Sequence, residues 1–85
     1  MEVENPSGTE QINWTSNDGV FRFISQDENL QKIEVYSLQG KKLLEKESPE
    51  PVKILHANLS AVPHQVLIVK LELKHGKTRI IKIIR

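Results

Sequence analysis

The sequence contains no cysteine, so neither a disulfide nor a thiolate metal site can stabilise the fold. Aromatic residues are also scarce, because Trp14, Phe21, Phe23 and Tyr36 are the only ones. No apolar run approaches the roughly 18 residues of a membrane-spanning helix, and we therefore expect no stable membrane insertion. Neither sign of charge dominates, since 12 basic and 11 acidic residues give a formal charge of +1. This balance favours neither nucleic acid nor an anionic membrane as a partner.

The length of the chain sets the scale of the fold. With 85 residues the chain is expected to form one small domain. A domain of this size buries only about 60–65% of the surface of its unfolded chain. The core is therefore thin, and every regular strand has to contribute to it.

Short β-branched segments bounded by turn residues predict strands rather than helices. We predict seven strands, at residues 10–14, 20–25, 30–38, 41–46 and 52–56, in a segment that includes 67–73, and at 77–84. The prolines of "ESPEP" cannot donate hydrogen bonds within a central strand, so we assign them to a connection that crosses to another sheet. The hairpins and this crossing together predict an all-β fold, a seven-stranded antiparallel immunoglobulin-like β-sandwich.

Alternation of apolar and polar residues indicates which faces are buried. Phe21 and Phe23 flank Arg22 and are expected to face the core. Leu43 and Leu44 are adjacent, so we expect them to point to opposite faces. In the sixth strand one face is wholly apolar and the other mostly polar; the apolar one comprises Leu67, Val69, Leu71 and Leu73. The last strand has Ile81 and Ile83 on one face and Ile80 and Ile84 on the opposite one. Apolar character on both faces predicts either burial on both sides or a contact surface.

Three glycines are predicted to define turns. Gly19 follows Asn17 and Asp18, residues that tolerate positive φ. Gly40 ends "SLQG", which matches a type I turn with Ser at its first position and a left-handed residue at its end. Gly76 occupies the turn "KHGK". We therefore interpret these glycines as backbone devices and not as parts of a ligand loop.

Motifs for chemistry are missing. The histidines, at positions 56, 64 and 75, lack the spacing by which one element supplies two zinc ligands. No Gly-x-Ser-x-Gly segment supplies a nucleophilic serine. Most lysines lie on predicted strand faces and hairpin ends, where they promote solubility and protect sheet edges. We therefore predict no catalytic, metal-binding or cofactor-binding residue, no cofactor, no nucleic acid partner, and a protein that is not an enzyme.

Three segments, taken in order, resemble a known family. "KIEVYSLQGKKLLEK" resembles the "V-x-V-Y-D-L-x-G-[KR]" segment of the type A C-terminal sorting domains of the type IX (Por) secretion system, found on exported proteins of Bacteroidetes-type bacteria. "INWTSNDGVFRFIS" is similar to the end of that family's first hairpin, and "LSAVPHQVLIVKLELKHGKTRIIKIIR" to its terminal segment. The sequence departs from the pattern where Asn13-Trp14-Thr15-Ser16 replaces Tyr-Pro-Asn-Pro and where Ser37 replaces the usual Asp.

The resemblance implies a non-catalytic signal. Such domains follow a secreted cargo domain, direct it from the periplasm across the outer membrane through the type IX translocon, and are usually removed by a sortase-like protease as the cargo becomes secreted or bound to the cell surface. We therefore expect residues 1–9 to be a flexible linker from an upstream cargo domain, and residues 10–85 to be the β-sandwich sorting domain. Recognition by the translocon is assigned to the last strand, with Lys77, Arg79, Ile81, Lys82, Ile83, Ile84 and Arg85 as its residues.

A second interpretation stays open at this point. The chain is then a structural or adhesive immunoglobulin-like module of a secreted bacterial protein, which binds a protein or a glycan through an exposed face of the sandwich. Pairing of exposed edge strands into a dimer is compatible with either interpretation.

Overall fold

The computed structural model describes residues 12–26 and 28–85. These residues contain no helix and form seven strands: β1 Ile12–Asn17, β2 Val20–Ser25, β3 Leu30–Ser37, β4 Lys42–Val52, β5 Ile54–Asn58, β6 Val66–Leu73 and β7 Thr78–Ile84. The all-β prediction with seven strands is confirmed. The linker predicted at 1–9, and the first two residues of the strand predicted at 10–14, lie outside the described residues.

The strands form two antiparallel sheets. The three-stranded sheet has the order β1-β2-β5, and the four-stranded sheet has the order β4-β3-β6-β7. All five strand pairs are antiparallel. The chain therefore changes sheets between β2 and β3, between β4 and β5, and between β5 and β6.

One hydrophobic core lies between the two sheets, and strand alternation builds it. In β2 the buried positions are Phe21, Phe23 and Ser25, with Arg22 exposed between the two rings. The apolar face predicted for β6 is wholly buried. Both sheets, and Leu59 in the loop after β5, contribute buried apolar residues: Phe21, Phe23, Leu30, Ile33, Val35, Leu55, Ala57, Leu59, Leu67, Val69, Leu71, Leu73 and Ile83.

The β1–β2 hairpin closes through a two-residue turn that contacts the loop after β5. Asp18 and Gly19 both have positive φ, 54° and 82°, as a type I′ turn requires. The backbone of Leu59 donates a hydrogen bond of 2.7 Å to the carbonyl of Gly19. A Cβ atom on Gly19 would lie only 2.7 Å from the Cα of Ser60. The missing side chain of Gly19 thus lets two backbone segments touch.

The β3–β4 hairpin has the turn that the segment "SLQG" predicts. The amide of Gly40 donates to the carbonyl of Ser37 at 3.0 Å, and Gly40 has a φ of 92°. The hydroxyl of Ser37 accepts a hydrogen bond of 3.2 Å from the amide of Lys41. The amide of Ser37 also donates to the carbonyl of Lys41 at 2.9 Å. The β6–β7 turn repeats both backbone bonds, since the amide of Gly76 donates to the carbonyl of Leu73 and the amide of Leu73 donates to the carbonyl of Lys77.

The prediction that β4 ends before its prolines is wrong. The strand runs from Lys42 to Val52 and includes Pro49 and Pro51. It tolerates them for two reasons. It lies at the edge of its sheet, where an absent N–H that faces solvent leaves no ladder bond unmade. Its register with β3 also shifts, since Leu30 pairs with Val52 but Lys32 pairs with Glu47, so residues 48–51 bulge out of the ladder.

Two further expectations about this region are corrected. Leu43 and Leu44 do not face opposite environments, because both pack against the core. A second register shift, between Val35 and Tyr36, re-aims the backbone of β4 at this point. The fifth strand, predicted at 52–56, begins two residues later, because β4 continues to Val52 and the chain changes sheets at Lys53.

Candidate functional site

The outer face of the four-stranded sheet carries the most distinctive surface among the described residues. Strand register aligns outward side chains in rows across it. One row runs Glu45, Glu34, Lys70 and Ile80, and the next runs Lys42, Tyr36, Ile68 and Lys82. Charged residues therefore dominate the β4 and β3 side of this face, and apolar residues gather toward β6 and β7.

Glu34 is the centre of the charged half. Its carboxylate lies 3.1 Å from Nζ of Lys42, 3.7 Å from Nζ of Lys32 and 4.0 Å from Nζ of Lys70. Glu45 bridges two of the same lysines, at 2.7 Å from Lys42 and 3.2 Å from Lys32. Two carboxylates and three ammonium groups thus share one network on neighbouring strands, the arrangement in which surface ion pairs contribute most.

The network shifts the pKa values of its members. The hydrogen bond from Lys42, with the charges of Lys42, Lys32 and Lys70, lowers the pKa of Glu34 against the opposing effect of desolvation. Hydrogen bonds from Lys42 and Lys32 lower the pKa of Glu45. The same contacts raise the pKa of Lys42 and of Lys32. Both carboxylates and both of these lysines are therefore charged at neutral pH.

This network predicts a loss of stability in acid. A carboxylate whose pKa is lower in the folded state stabilises the fold above its unfolded pKa of about 4.3, and loses this effect as the pH falls through the folded value. We expect Glu34→Gln to lower the urea midpoint at pH 7, and the difference from wild type to shrink steadily as the pH falls below about 5 and through the lowered pKa of Glu34. Glu50→Gln, at an exposed position of the β4 bulge, is the matched control. A difference for Glu34→Gln that stays constant with pH would contradict the assignment.

The apolar half of the face forms an open groove of about 410 Å³. Its apolar lining comes from Tyr36, Leu38, Ile68 and Ile80, with Lys70 beside them. Leu38 is 61% exposed and Ile80 is 69% exposed, and Ile84 on the same face of β7 is 72% exposed. These are the three most exposed large hydrophobic residues in the described part of the chain. The last strand is therefore not buried on both sides within this chain.

The residues assigned to recognition divide into three groups. Ile83 is fully buried in the core, and Ile81 is half-buried and packs against it. Lys82 and Ile84 are exposed on the outer face of β7. Lys77 lies at the turn before β7, with its Nζ 3.7 Å from a carboxylate oxygen of Glu28, and Arg79 is half-buried on the inward side. Only part of the predicted set thus forms one continuous surface.

Arg85 connects the end of the chain to the loop after β5. Its Nε donates to the carbonyl of Leu59 at 2.7 Å, and its guanidinium donates to the carbonyl of Ser60 at 3.0 Å. Its backbone amide donates to the carbonyl of Gln65 at 2.9 Å. Arg85 therefore has a structural role in this fold, because it holds together the backbone of two loop segments.

Clusters that hold a metal do not occur within residues 12–26 and 28–85, where no three histidine, cysteine, aspartate or glutamate side chains converge. His56 lies on β5, His64 in the loop before β6 and His75 in the β6–β7 turn. Over the same ranges there is no helix with the length and hydropathy to cross a membrane.

The groove residues were not assigned a function from the sequence. Strand alternation places Ile68 on the mostly polar face of β6 and Ile80 on the face of β7 opposite Ile81 and Ile83. An isoleucine on the polar face of β6, next to a strand that is apolar on both faces, is the available signal. Tyr36 and Leu38 carried no such signal, because their place beside the isoleucines depends on the pairing of β3 with β6. Apolar residues at outward positions of two adjacent strands are the pattern that finds such a groove.

Comparison with known proteins identifies one family. No curated protein matches the sequence. The family model described as a domain of unknown function (DUF8694) matches residues 1–85. The chain therefore belongs to the DUF8694 family.

Proposed function

We propose that the chain is a non-catalytic secretion signal, a type A C-terminal sorting domain of the type IX (Por) secretion system. The observation that carries the proposal is the place of β7, the strand assigned to recognition, at an edge of the four-stranded sheet that residues 12–26 and 28–85 form. An edge strand offers unpaired backbone groups and an outward row of side chains to a partner. Recognition through such a strand requires no catalytic group.

We also propose that the two sheets form an immunoglobulin-like β-sandwich. Seven antiparallel strands in sheets of three and four, with three changes of sheet along the chain, support this assignment. In the constant-type arrangement the fourth strand joins the sheet of the first, second and fifth strands. Here β4 pairs with β3 instead, so the proposed fold is a variant in which the fourth strand has changed sheets.

The proposed mechanism assigns a separate task to each end of the chain. An upstream cargo domain is joined through residues 1–9, and a sortase-like protease cleaves there. The type IX translocon binds the exposed side of β7, where Lys82 and Ile84 point outward. The cargo crosses from the periplasm through the outer membrane and becomes secreted or attached to the cell surface.

The test is a reporter fused before residue 1 in a bacterium with an active type IX system. The double variant Lys82→Glu/Ile84→Ser changes the outer face of β7 without touching the core. We expect surface delivery to fall at least about tenfold. The reason is that a charge reversal and the loss of an apolar contact each weaken binding of the partner by roughly 1–3 kcal/mol. The control is Lys74→Glu/Ile54→Ser, at exposed positions of the β6–β7 turn and of β5. Equal delivery by both double variants would refute the proposal.

A second candidate is favoured by the apolar groove on the outer face. An exposed apolar patch often marks a protein contact, and this is consistent with a structural or adhesive module that binds a protein or a glycan. The same fusion separates the two candidates. If the chain is an adhesive module, the wild-type reporter stays in the periplasm, and the isolated domain binds its partner.

A further inference from the structure

We infer that the groove on the outer face of the four-stranded sheet is a docking site for an extended partner peptide whose apolar side chains lie on one face and are flanked by acidic side chains. The groove lies between β3 and β7, and peptide binding there does not depend on the route of secretion. It is carried by the apolar floor of the groove together with the charges at its rim.

The floor offers contact area for side chains of a partner. Tyr36 and Ile68 are directly paired across β3 and β6, so their side chains lie next to each other. Leu38 and Ile80 extend the apolar surface on either side of this pair. Leu38 and Ile80 are both more than half exposed. A partner that covers them therefore buries apolar surface that the folded chain leaves in water, and this burial favours binding.

The rim is basic. Lys70 lines the groove, Lys82 is paired with Ile68 on the neighbouring strand, and Lys41 is exposed in the turn beside Gly40. Lys41 and Lys82 form no ion pair with any carboxylate in the described part of the chain. On the β3 and β4 side, the nearest carboxylates already contact lysines of the network around Glu34. Lys70 lies 4.0 Å from Glu34, and Glu72 is paired with Lys32 across β3 and β6. Among residues 12–26 and 28–85, the charge at the rim that has no ion-pair partner is therefore that of Lys41 and Lys82, and it is positive.

Charge complementarity selects the occupant. A partner that presents carboxylates at the rim pairs with Lys41, Lys70 and Lys82 and suppresses the approach of basic partners. A second copy of this chain is a poor match, because a two-fold contact between two such grooves brings the basic rims together. In an extended peptide, side chains on one face repeat about every 7 Å. Apolar residues on that face can thus reach the floor, while acidic residues that flank this run reach the lysines of the rim.

The first experiment is an NMR titration of the whole chain, labelled with ¹⁵N. The probe is a short capped peptide with isoleucine, valine and leucine at alternate positions of its central segment and glutamates at both ends. We expect saturable shift changes at the amides of Tyr36, Leu38, Ile68 and Ile80, and weaker binding in high salt, which screens the rim charges. Two comparison peptides, one with lysine for every glutamate and one with serine for every apolar residue, are expected to bind at least about tenfold more weakly.

Two variants test the floor and the rim separately. Ile80→Ser is expected to raise the dissociation constant of the acidic peptide about tenfold, since it removes an apolar contact. Ile54→Ser on β5 is expected to leave this dissociation constant unchanged. Lys82→Glu is expected to weaken binding of the acidic peptide by a similar factor and to strengthen binding of the lysine peptide. Lys74→Glu, remote from the groove in the β6–β7 turn, is the matched charge control.

Several results would overturn the inference. Shift changes confined to the three-stranded sheet, or equal affinity for the acidic and lysine peptides, would show that the groove does not select this ligand. Sedimentation at rising concentration tests the other occupant. A dimer that Ile80→Ser dissociates would make the groove an interface between copies of this chain and would likewise reject the peptide.

Discussion

Deletion of residues 81–85 is expected to unfold the domain and not simply to remove a surface. The deleted segment contains Ile83, which is fully buried and pairs with Leu67, and Ile81, which packs against the core beside Val69. Loss of one buried isoleucine side chain costs about 2–5 kcal/mol. Domains of this size have a total free energy of unfolding of roughly 0.05–0.15 kcal/mol per residue. Loss of the isoleucine alone therefore removes a large part of the stability of the domain.

The deletion also removes Arg85, whose side chain donates hydrogen bonds to the carbonyls of Leu59 and Ser60. Each such bond contributes about 1 kcal/mol or more, because the donor is charged. Without Arg85 the loop after β5 loses its connection to the end of β7. We therefore expect a total loss above about 4 kcal/mol when these bonds and the buried isoleucine are lost together.

Circular dichroism with urea titration measures this loss. We expect the truncated chain to show no cooperative transition under conditions in which the whole chain unfolds in a single step. The control is Ile80→Ser/Ile84→Ser, which changes two exposed side chains and is expected to alter stability by about 0.5 kcal/mol or less at each position. A truncated chain with an unchanged urea midpoint would contradict the structural role of β7.

This result determines how secretion is to be tested. A truncated reporter fusion that fails to reach the surface does not distinguish a lost recognition strand from an unfolded domain. Substitutions at Lys82 and Ile84 avoid the problem, since both side chains point away from the core. The point variants are therefore the informative ones for the proposed sorting function.

Gly19→Ala is expected to destabilise the domain by about 2–4 kcal/mol. One contribution is the positive φ of 82°, which costs an L-residue with a Cβ about 1–2 kcal/mol. The other is steric, because the new Cβ would lie 2.7 Å from the Cα of Ser60 and 2.9 Å from its Cβ. A backbone atom cannot rotate away, so the β1–β2 turn has to separate from the loop after β5, at a further cost of about 1–2 kcal/mol.

Gly40→Ala is the matched control for this prediction. Gly40 has a similar φ of 92°, but no atom lies within 4 Å of the position of its Cβ. Only the conformational cost of about 1–2 kcal/mol is expected there. Urea unfolding of both variants isolates the contact with Ser60 as the difference between them. Equal losses of stability in the two variants would mean that the close contact between Gly19 and Ser60 does not contribute to the cost of Gly19→Ala.

Local patterns were sufficient to predict much of the fold. The bounds of β2 at 20–25 are those predicted, because alternating phenylalanines lie between clear turn residues on both sides. The inward face of β6 follows from strict alternation, which the pleat of any strand imposes. The turn at Gly40 follows from residues three positions apart. Each of these features depends on contacts between neighbours in the chain.

The features that were missed depend on strand order. Pro49 and Pro51 would end a central strand, and they are compatible with β4 only because β4 is an edge strand with a bulge. The groove exists because β3, β6 and β7 are adjacent and bring Tyr36, Ile68 and Ile80 to one face. Neither strand order nor register shifts can be inferred from periodicity, since they are set by pairing between distant segments.

By itself the sequence determined an all-β chain of seven short strands, the inward faces of β2 and β6, and the turns at its glycines, because strand and turn preferences are properties of a few consecutive residues. The tertiary structure alone decided which sheet each strand joins, that Ile83 and Arg85 support the fold while Lys82 and Ile84 remain exposed, and that an apolar groove with a basic rim forms between β3 and β7. The physical reason is that these surfaces are assembled from residues far apart in the chain, and only packing of the two sheets around one core brings them together.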